Sequence, residues 1–158
     1  MLGLIQLVPR RPRADIPIDR LWLVFFGEAV GAPWWSRFLS PGYRHITACA
    51  WFADQQRWVY FNPSRRGTVI LLYRADEFGG RFAQLMNDSS LVLRVVATQS
   101  RRATPFGWWC TGSIKALLGI RTRALSPLQL SRHLLRHGAA VVSMPGSDRS
   151  IDGEPVQA

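Results

Sequence analysis

Cys110, His45 and Asn62 are the residues whose types and settings could together break an acyl bond. Cys110 follows Phe106-Gly107-Trp108-Trp109 and opens Cys110-Thr111-Gly112-Ser113-Ile114-Lys115-Ala116-Leu117-Leu118-Gly119, which reads as a short helix whose first residue is a thiol. A helix start carries partial positive charge and unpaired N–H groups, and both favour thiolate over thiol. The same amides, that of Cys110 included, can point at a developing oxyanion. A thiol nucleophile also needs a base, and the base needs a group that fixes its ring. His45 stands 65 residues ahead of Cys110 at the start of a strand-like run, and Asn62 closes the next such run. The order is therefore His–Asn–Cys. Trp108, Trp109 and Trp51 are candidate groove residues for a substrate.

Each of these residues has a structural reading beside the chemical one. Cys110 also suits a small apolar residue beneath Trp108 and Trp109. His45 also suits a cap or a surface position, and Asn62 a strand end before Pro63. For a symmetric turn Asn62 comes nearer to Thr47 or Ala48 than to His45, so contact between His45 and Asn62 needs a bulge or a diagonal approach. Asp54 falls at the tip of the hairpin and reads as a turn residue. His133 and His137 lie four apart beside Arg132 and Arg136, without a carboxylate or third ligand, and read as a solvated basic face. Nothing in the spacing of Cys, His, Asp and Glu calls for a metal or a cofactor.

The elements that must position these residues emerge from hydrophobic pattern and turn chemistry. Residues 21–26 form a strand that is apolar on both faces and rich in aromatics. Residues 28–43, with Gly31, Pro33, Pro41 and Gly42, form a loop with a short turn around Trp34 to Phe38. His45 to Phe52 and residues 57–62 are the arms of a hairpin, joined by Ala53-Asp54-Gln55-Gln56 and stopped by Pro63. A strand over 68–73 precedes a helix capped by Asp76 and running to about Met86, with Phe78, Phe82, Leu85 and Met86 on one stripe. Residues 91–98 are a β-branched strand, and 99–109 a second loop. The Cys110 helix stops at Gly119. Ser126 caps a last helix with Pro127 at its first position and Gly138 at its end. Residues 139–144 form a short terminal strand. The pattern predicts an α+β domain over 20–144, a curved antiparallel β-sheet of four to five strands packed with two to three helices. Residues 1–19, with Pro9-Arg10-Arg11-Pro12-Arg13, are read as an N-terminal arm and 145–158 as a mobile tail.

Composition narrows the class. The chain has 158 residues, a net charge of +10, and Lys115 as its single lysine among 20 basic residues. The arginines are dispersed, with pairs at Arg10-Arg11, Arg65-Arg66 and Arg101-Arg102. This pattern supports weak, salt-sensitive attraction to polyanions rather than a dedicated nucleic-acid reader. Two cysteines, Cys49 and Cys110, make no disulfide framework and fit a reducing compartment. Cys49 lies in an apolar run and reads as a buried, inert thiol. The longest apolar stretch, 21–35, is broken by Gly27, Glu28, Gly31 and Pro33, so no transmembrane segment is expected. The apolar start Met1-Leu2-Gly3-Leu4-Ile5-Gln6-Leu7-Val8 has its arginines after it. It reads as a strand or docking arm, not a secretory signal, and the expected location is cytoplasmic.

In these motifs the chain resembles the circularly permuted papain-like fold, the group near the NlpC/P60 and lecithin:retinol acyltransferase-like proteins. Arg44-His45-Ile46-Thr47-Ala48 resembles the strand bearing the histidine. Val59-Tyr60-Phe61-Asn62-Pro63 resembles the strand bearing the polar third residue, with Asn in place of the commoner His or Asp. Trp109-Cys110-Thr111-Gly112-Ser113-Ile114-Lys115 resembles the cysteine helix. The resemblance covers about residues 43–120, and the segment from Thr68 to Thr98 is longer than the minimal core. It implies a thiol-dependent hydrolase or acyltransferase on an amide, thioester or ester bond, of peptidase or peptidoglycan amidase type. Cys110 would be the nucleophile and His45 the base, with a peptide or cell-wall-type substrate. Small proteins of this group occur in bacteria and bacteriophages, some inactive. The first alternative is therefore a non-enzymatic assembly protein, for example a virion component docking a partner through its N-terminal arm. The second is a basic polyanion-binding module.

Overall fold

The computed structural model describes residues 20–28, 34–64, 67–97 and 109–142. The expected arm over 1–19, the whole of the expected tail over 145–158, and Trp108 lie outside them. The fold is α+β: one six-stranded, wholly antiparallel sheet with three α-helices and a single short 3-10 turn, Trp34–Phe38, among the described residues. The strands are β1 (Arg20–Gly27), β2 (His45–Phe52), β3 (Arg57–Ser64), β4 (Gly67–Arg74), β5 (Ser89–Ala97) and the two-residue β6 (Ala140–Val141). The helices are α1 (Ala75–Asp88), α2 (Trp109–Leu118) and α3 (Pro127–Arg136).

Strand order is β4-β3-β2-β1-β5-β6. The first four strands form a meander, and α1 then carries the chain back across the sheet so that β5 pairs with β1. This central place explains why β1 is apolar on both faces. Val24 and Phe26 enter one cluster, with Ile46, Ala48, Leu93, Ile114 and Leu130, beneath α2 and α3. Phe25 enters the other, with Cys49, Tyr60, Phe78 and Leu85, beneath α1. A strand covered on both sides has no polar face to show, and its side chains alternate between two cores. On the α1 side Phe78 stacks on Trp58 with ring centroids 4.8 Å apart.

Local chemistry sets most boundaries. The β2–β3 hairpin closes at Phe52↔Arg57 over the four predicted turn residues, with Gln56 left-handed at φ 50°. Ser126 Oγ accepts from the Gln129 N–H at 3.3 Å, and Gln129 reaches back to the Ser126 N–H, a reciprocal cap that starts α3 with Pro127 in its first turn. Gly119, at φ 68°, ends α2 in the left-handed conformation that glycine adopts without strain.

Two expectations are corrected. Pro63 does not stop β3, which runs on to Ser64 and pairs Pro63 with Thr68 of β4. The β2–β3 ladder, by contrast, ends at Ala48↔Phe61, so the proline lies past the last pair on that side and its missing N–H breaks no β2–β3 pair. The cap of α1 is also two residues earlier than predicted. Arg74 is the N-cap and Glu77 Oε2 accepts its N–H at 3.0 Å, whereas Asp76 lies inside the first turn and pairs with Arg74 at 3.3 Å.

Candidate active site

His45 is the first residue of β2, and the turn before it fixes where its ring begins. Glu28, just past the end of β1, takes the Gly42 N–H on one carboxylate oxygen and the Arg44 guanidinium on the other at 3.1 Å. The Arg44 N–H donates to the Gly27 carbonyl at 3.0 Å. Gly42 sits at φ 76°, and a Cβ there would come within 2.5 Å of Ser90 Oγ. A larger residue would be both strained and in collision, so this turn holds His45 against the ends of β1 and β5. Sequence reasoning missed the clamp. Its signal was Glu28 itself, the one carboxylate between Asp19 and Asp54.

Asn62 reaches His45 diagonally. The register of the hairpin, continued past Ala48↔Phe61, sets Asn62 opposite Thr47, two residues short of His45. The side chains close that gap: His45 Nε2 and Asn62 Oδ1 are 2.7 Å apart. An amide oxygen only accepts, so Nε2 carries the proton and Nδ1 is left with the lone pair. The bond thus selects the tautomer that a general base needs. Burial pushes the His45 pKa below its ordinary value of 6.5, and the bond to Asn62 offsets part of that fall. At neutral pH the ring is uncharged and able to take a proton.

Cys110 lies in the first turn of α2, with Trp109 one position before it, half exposed. Its residue is 8% exposed. The sulfur is surrounded by donors: the Ile46 backbone N–H, the Thr111 hydroxyl and N–H, and its own N–H. Ile46 is the residue after His45, and it lies beyond the last β2–β3 pair. The Thr111 hydroxyl, fully buried and without a conventional partner, bears on the sulfur as a weak donor. Each of these donors favours thiolate, as expected of a helix start. Burial nevertheless outweighs them, and the Cys110 pKa is raised above its ordinary value of 9.0. The expectation of a thiol held below free cysteine is corrected on this point. Low-dielectric surroundings cost the anion more than four donors return.

The structure thus joins His45 to Asn62 and seats Cys110 against the backbone one residue beyond His45. Among the described residues no hydrogen bond links the His45 ring to the Cys110 sulfur. Trp51 is not part of this cluster. It lies six residues along β2, about 20 Å away at 3.3–3.4 Å per residue, and packs against Trp58 with centroids 5.6 Å apart. Cys49 is fully buried on the α1 side, and its pKa is pushed up to about 12 by that burial. His137 Nδ1 lies 2.8 Å from the His133 carbonyl oxygen, and no group of His, Cys, Asp and Glu able to hold a metal occurs among the described residues. No described helix is long and apolar enough to cross a membrane.

No protein-family model, curated protein or solved structure matches this chain.

Proposed function

We propose that the chain is a thiol-dependent acyl-transfer catalyst, a hydrolase or acyltransferase of the circularly permuted papain-like kind, with Cys110 as nucleophile, His45 as base and Asn62 as the residue that sets the base. The observation that carries this reading is the His45–Asn62 bond of 2.7 Å beside a cysteine whose sulfur is met by the backbone of the next residue, Ile46. The opposed pKa shifts, cysteine up and histidine down, fit a resting pair of thiol and neutral imidazole rather than a preformed ion pair. The thiol proton would pass to His45 Nδ1 as sulfur attacks an acyl carbon. The carbonyl oxygen would gain charge near the amides at the start of α2, and His45 would return the proton to the leaving group. Water or a second acceptor would then release the acyl group from Cys110. An amide or ester of a peptide or cell-wall-type polymer is the substrate class this chemistry serves. The surplus of arginine would raise the local concentration of an anionic substrate.

The test is acylation by p-nitrophenyl acetate, read by intact-protein and peptide mass spectrometry. A single acetyl adduct on Cys110 is expected, absent in Cys110→Ala and formed at least tenfold more slowly in His45→Gln. Equal modification of Cys49, or a Cys110 rate indifferent to His45, would sink the reading.

A second reading has its own observation. Val69, Ile70, Leu71 and Leu72 of β4 are all solvent-exposed, as suits an assembly protein that docks by a strand edge. On that reading the Cys110 region is structural and the acetylation test fails.

A further inference from the structure

Among the described residues two buried side-chain polar atoms lack a hydrogen-bond partner, Arg44 Nε and Thr111 Oγ1. The Arg44 guanidinium is held elsewhere by Glu28, whereas Thr111 has only its hydroxyl. Thr111 is fully buried, and an unpaired hydroxyl in such a place costs folding free energy. A helical threonine ordinarily returns its hydroxyl to the carbonyl three or four residues back. Thr111 is the third residue of α2, which begins at Trp109, so the helix itself has no carbonyl to offer there. Valine has nearly the same shape and would pack without the unpaired group, so packing gives no reason for a hydroxyl at this position. What the hydroxyl does meet is the sulfur of Cys110, beside the N–H groups of Cys110, Thr111 and Ile46. Donors that converge on a sulfur also stand close to the oxygen of a carbonyl bonded to it, since only the acyl carbon separates the two. The start of α2 is open at Trp109, which is half exposed, and closed to water at Thr111. A donor in dry surroundings acts more strongly on a developing charge than the same donor in water.

We propose that Thr111 is a catalytic residue, whose hydroxyl donates, together with the amides of Cys110 and Thr111, to the acyl carbonyl oxygen as the Cys110 sulfur attacks. This assignment rests on the acyl-transfer reading. As the bond from sulfur to the acyl carbon forms, the carbonyl π pair moves onto oxygen, where the hydroxyl and the two amides meet it. The pair then returns, the bond from carbon to the leaving group breaks, and the proton that left Cys110 for His45 passes to the leaving atom. The two amides belong to the first turn of α2 and have no acceptor within the helix. The hydroxyl, unpaired at rest, gains its full acceptor only in the transition state. A bond made there and not in the ground state lowers the barrier rather than tightening binding.

The test compares two reactions of Cys110 in the full chain, at one pH and read by mass spectrometry. Acetylation by p-nitrophenyl acetate builds charge on a carbonyl oxygen, whereas alkylation by iodoacetamide displaces iodide and builds none there. Thr111→Val, which keeps the shape, should lower the ratio of acetylation to alkylation rates by at least about tenfold. Thr111→Ser, which keeps the hydroxyl, should hold the ratio near that of the parent. Where Thr111→Val does not fold by far-ultraviolet circular dichroism, Thr111→Ala against Thr111→Ser carries the same comparison. A ratio that loss of the hydroxyl leaves unchanged overturns the proposal. So does an equal fall in both rates, which would make Thr111 a support for thiolate alone. Failure of the acyl-transfer reading shows instead in the parent and in His45→Gln, before any change at Thr111 is made.

Discussion

His45 and Asn62 meet across adjacent strands although they are not opposite one another. Their side chains span the diagonal at 2.7 Å from Nε2 to Oδ1. This single bond decides which ring nitrogen is protonated, and so which one can serve as a base. Of the three candidates Asn62 has the weakest signal in the sequence, because a strand-ending asparagine before proline needs no chemical reason. The structure gives it a partner where the hairpin register alone left a gap of two residues.

Asn62→Ala is expected to lower the His45 pKa further, because the bond to Asn62 is the contribution that raises it. It should also release the tautomer. Asn62→Asp should move the pKa the other way, since a carboxylate favours imidazolium. Both effects are read from the ring nitrogen shifts of 15N-labelled protein across a pH titration. Ring shifts indifferent to both substitutions would remove Asn62 from the site.

The protein should lose stability on acidification through His45. Its folded pKa lies below the ordinary 6.5, so the unfolded chain binds the proton more readily and stability falls as pH drops below about 6.5. His133 is shifted in the same direction by burial and by its cationic neighbours His137, Arg136 and Lys115. The contribution of His45 is therefore the difference between the parent and His45→Gln in urea midpoints from pH 7.5 to 5. Parallel curves for the two proteins would contradict it.

At alkaline pH the buried thiols act in the opposite sense. With the Cys49 pKa raised from 9.0 to about 12, its burial favours the fold below pH 9 and loses that advantage as pH rises towards 12. The full effect is at most about 4 kcal/mol. Cys49→Ala should flatten the decline of stability above pH 9 relative to the parent. Iodoacetamide should label Cys110 ahead of Cys49, with an apparent pKa above that of free cysteine. An apparent pKa well below it would mean that the amides at the start of α2 outweigh burial after all.

Lys115, the single lysine, is buried at 1% exposure and donates to the carbonyls of Thr122 and Ala124 at 3.2 and 3.0 Å. It ties the segment after α2 back onto that helix. Lys115→Met keeps the packing but strips both carbonyls of a donor, at an expected cost of about 1–3 kcal/mol. Thermal denaturation of the variant measures it, and an unchanged midpoint would show that water replaces the ammonium.

Much of the architecture is written locally. The turn of the β2–β3 hairpin, the Ser126 cap with Pro127 behind it, and the stop at Gly119 each depend on residues a few positions apart. Those residues state their preferences in any context. The apolar pattern of residues 21–26 likewise announced a strand with no solvent face, and the α+β class came from the same patterns. The candidates Cys110, His45 and Asn62 were visible for that reason, each read at the end of an element, although β3 runs two residues past Asn62 and α2 begins one residue before Cys110.

The points that local signals left open were settled by neighbours far away in the chain. β1 and β5 pair although some sixty residues separate them, and that pairing puts Ser90 against Gly42 and leaves no room for a side chain in the turn before His45. Glu28 became a clamp only when the loop folded back to present the Gly42 N–H and Arg44 to it. Pro63 remained within β3 because the β2–β3 ladder ends at Ala48↔Phe61, two residues before it, so its missing donor breaks no pair with β2. For Cys110 the sequence supplied the helix start, and with it the donors that favour thiolate. The sign of its pKa shift came from packing against β2 and β3. A helix start acts over a single turn and can be read from a few letters. The burial that opposes it sums over every element that closes around the sulfur, and no short stretch of the chain encodes that sum.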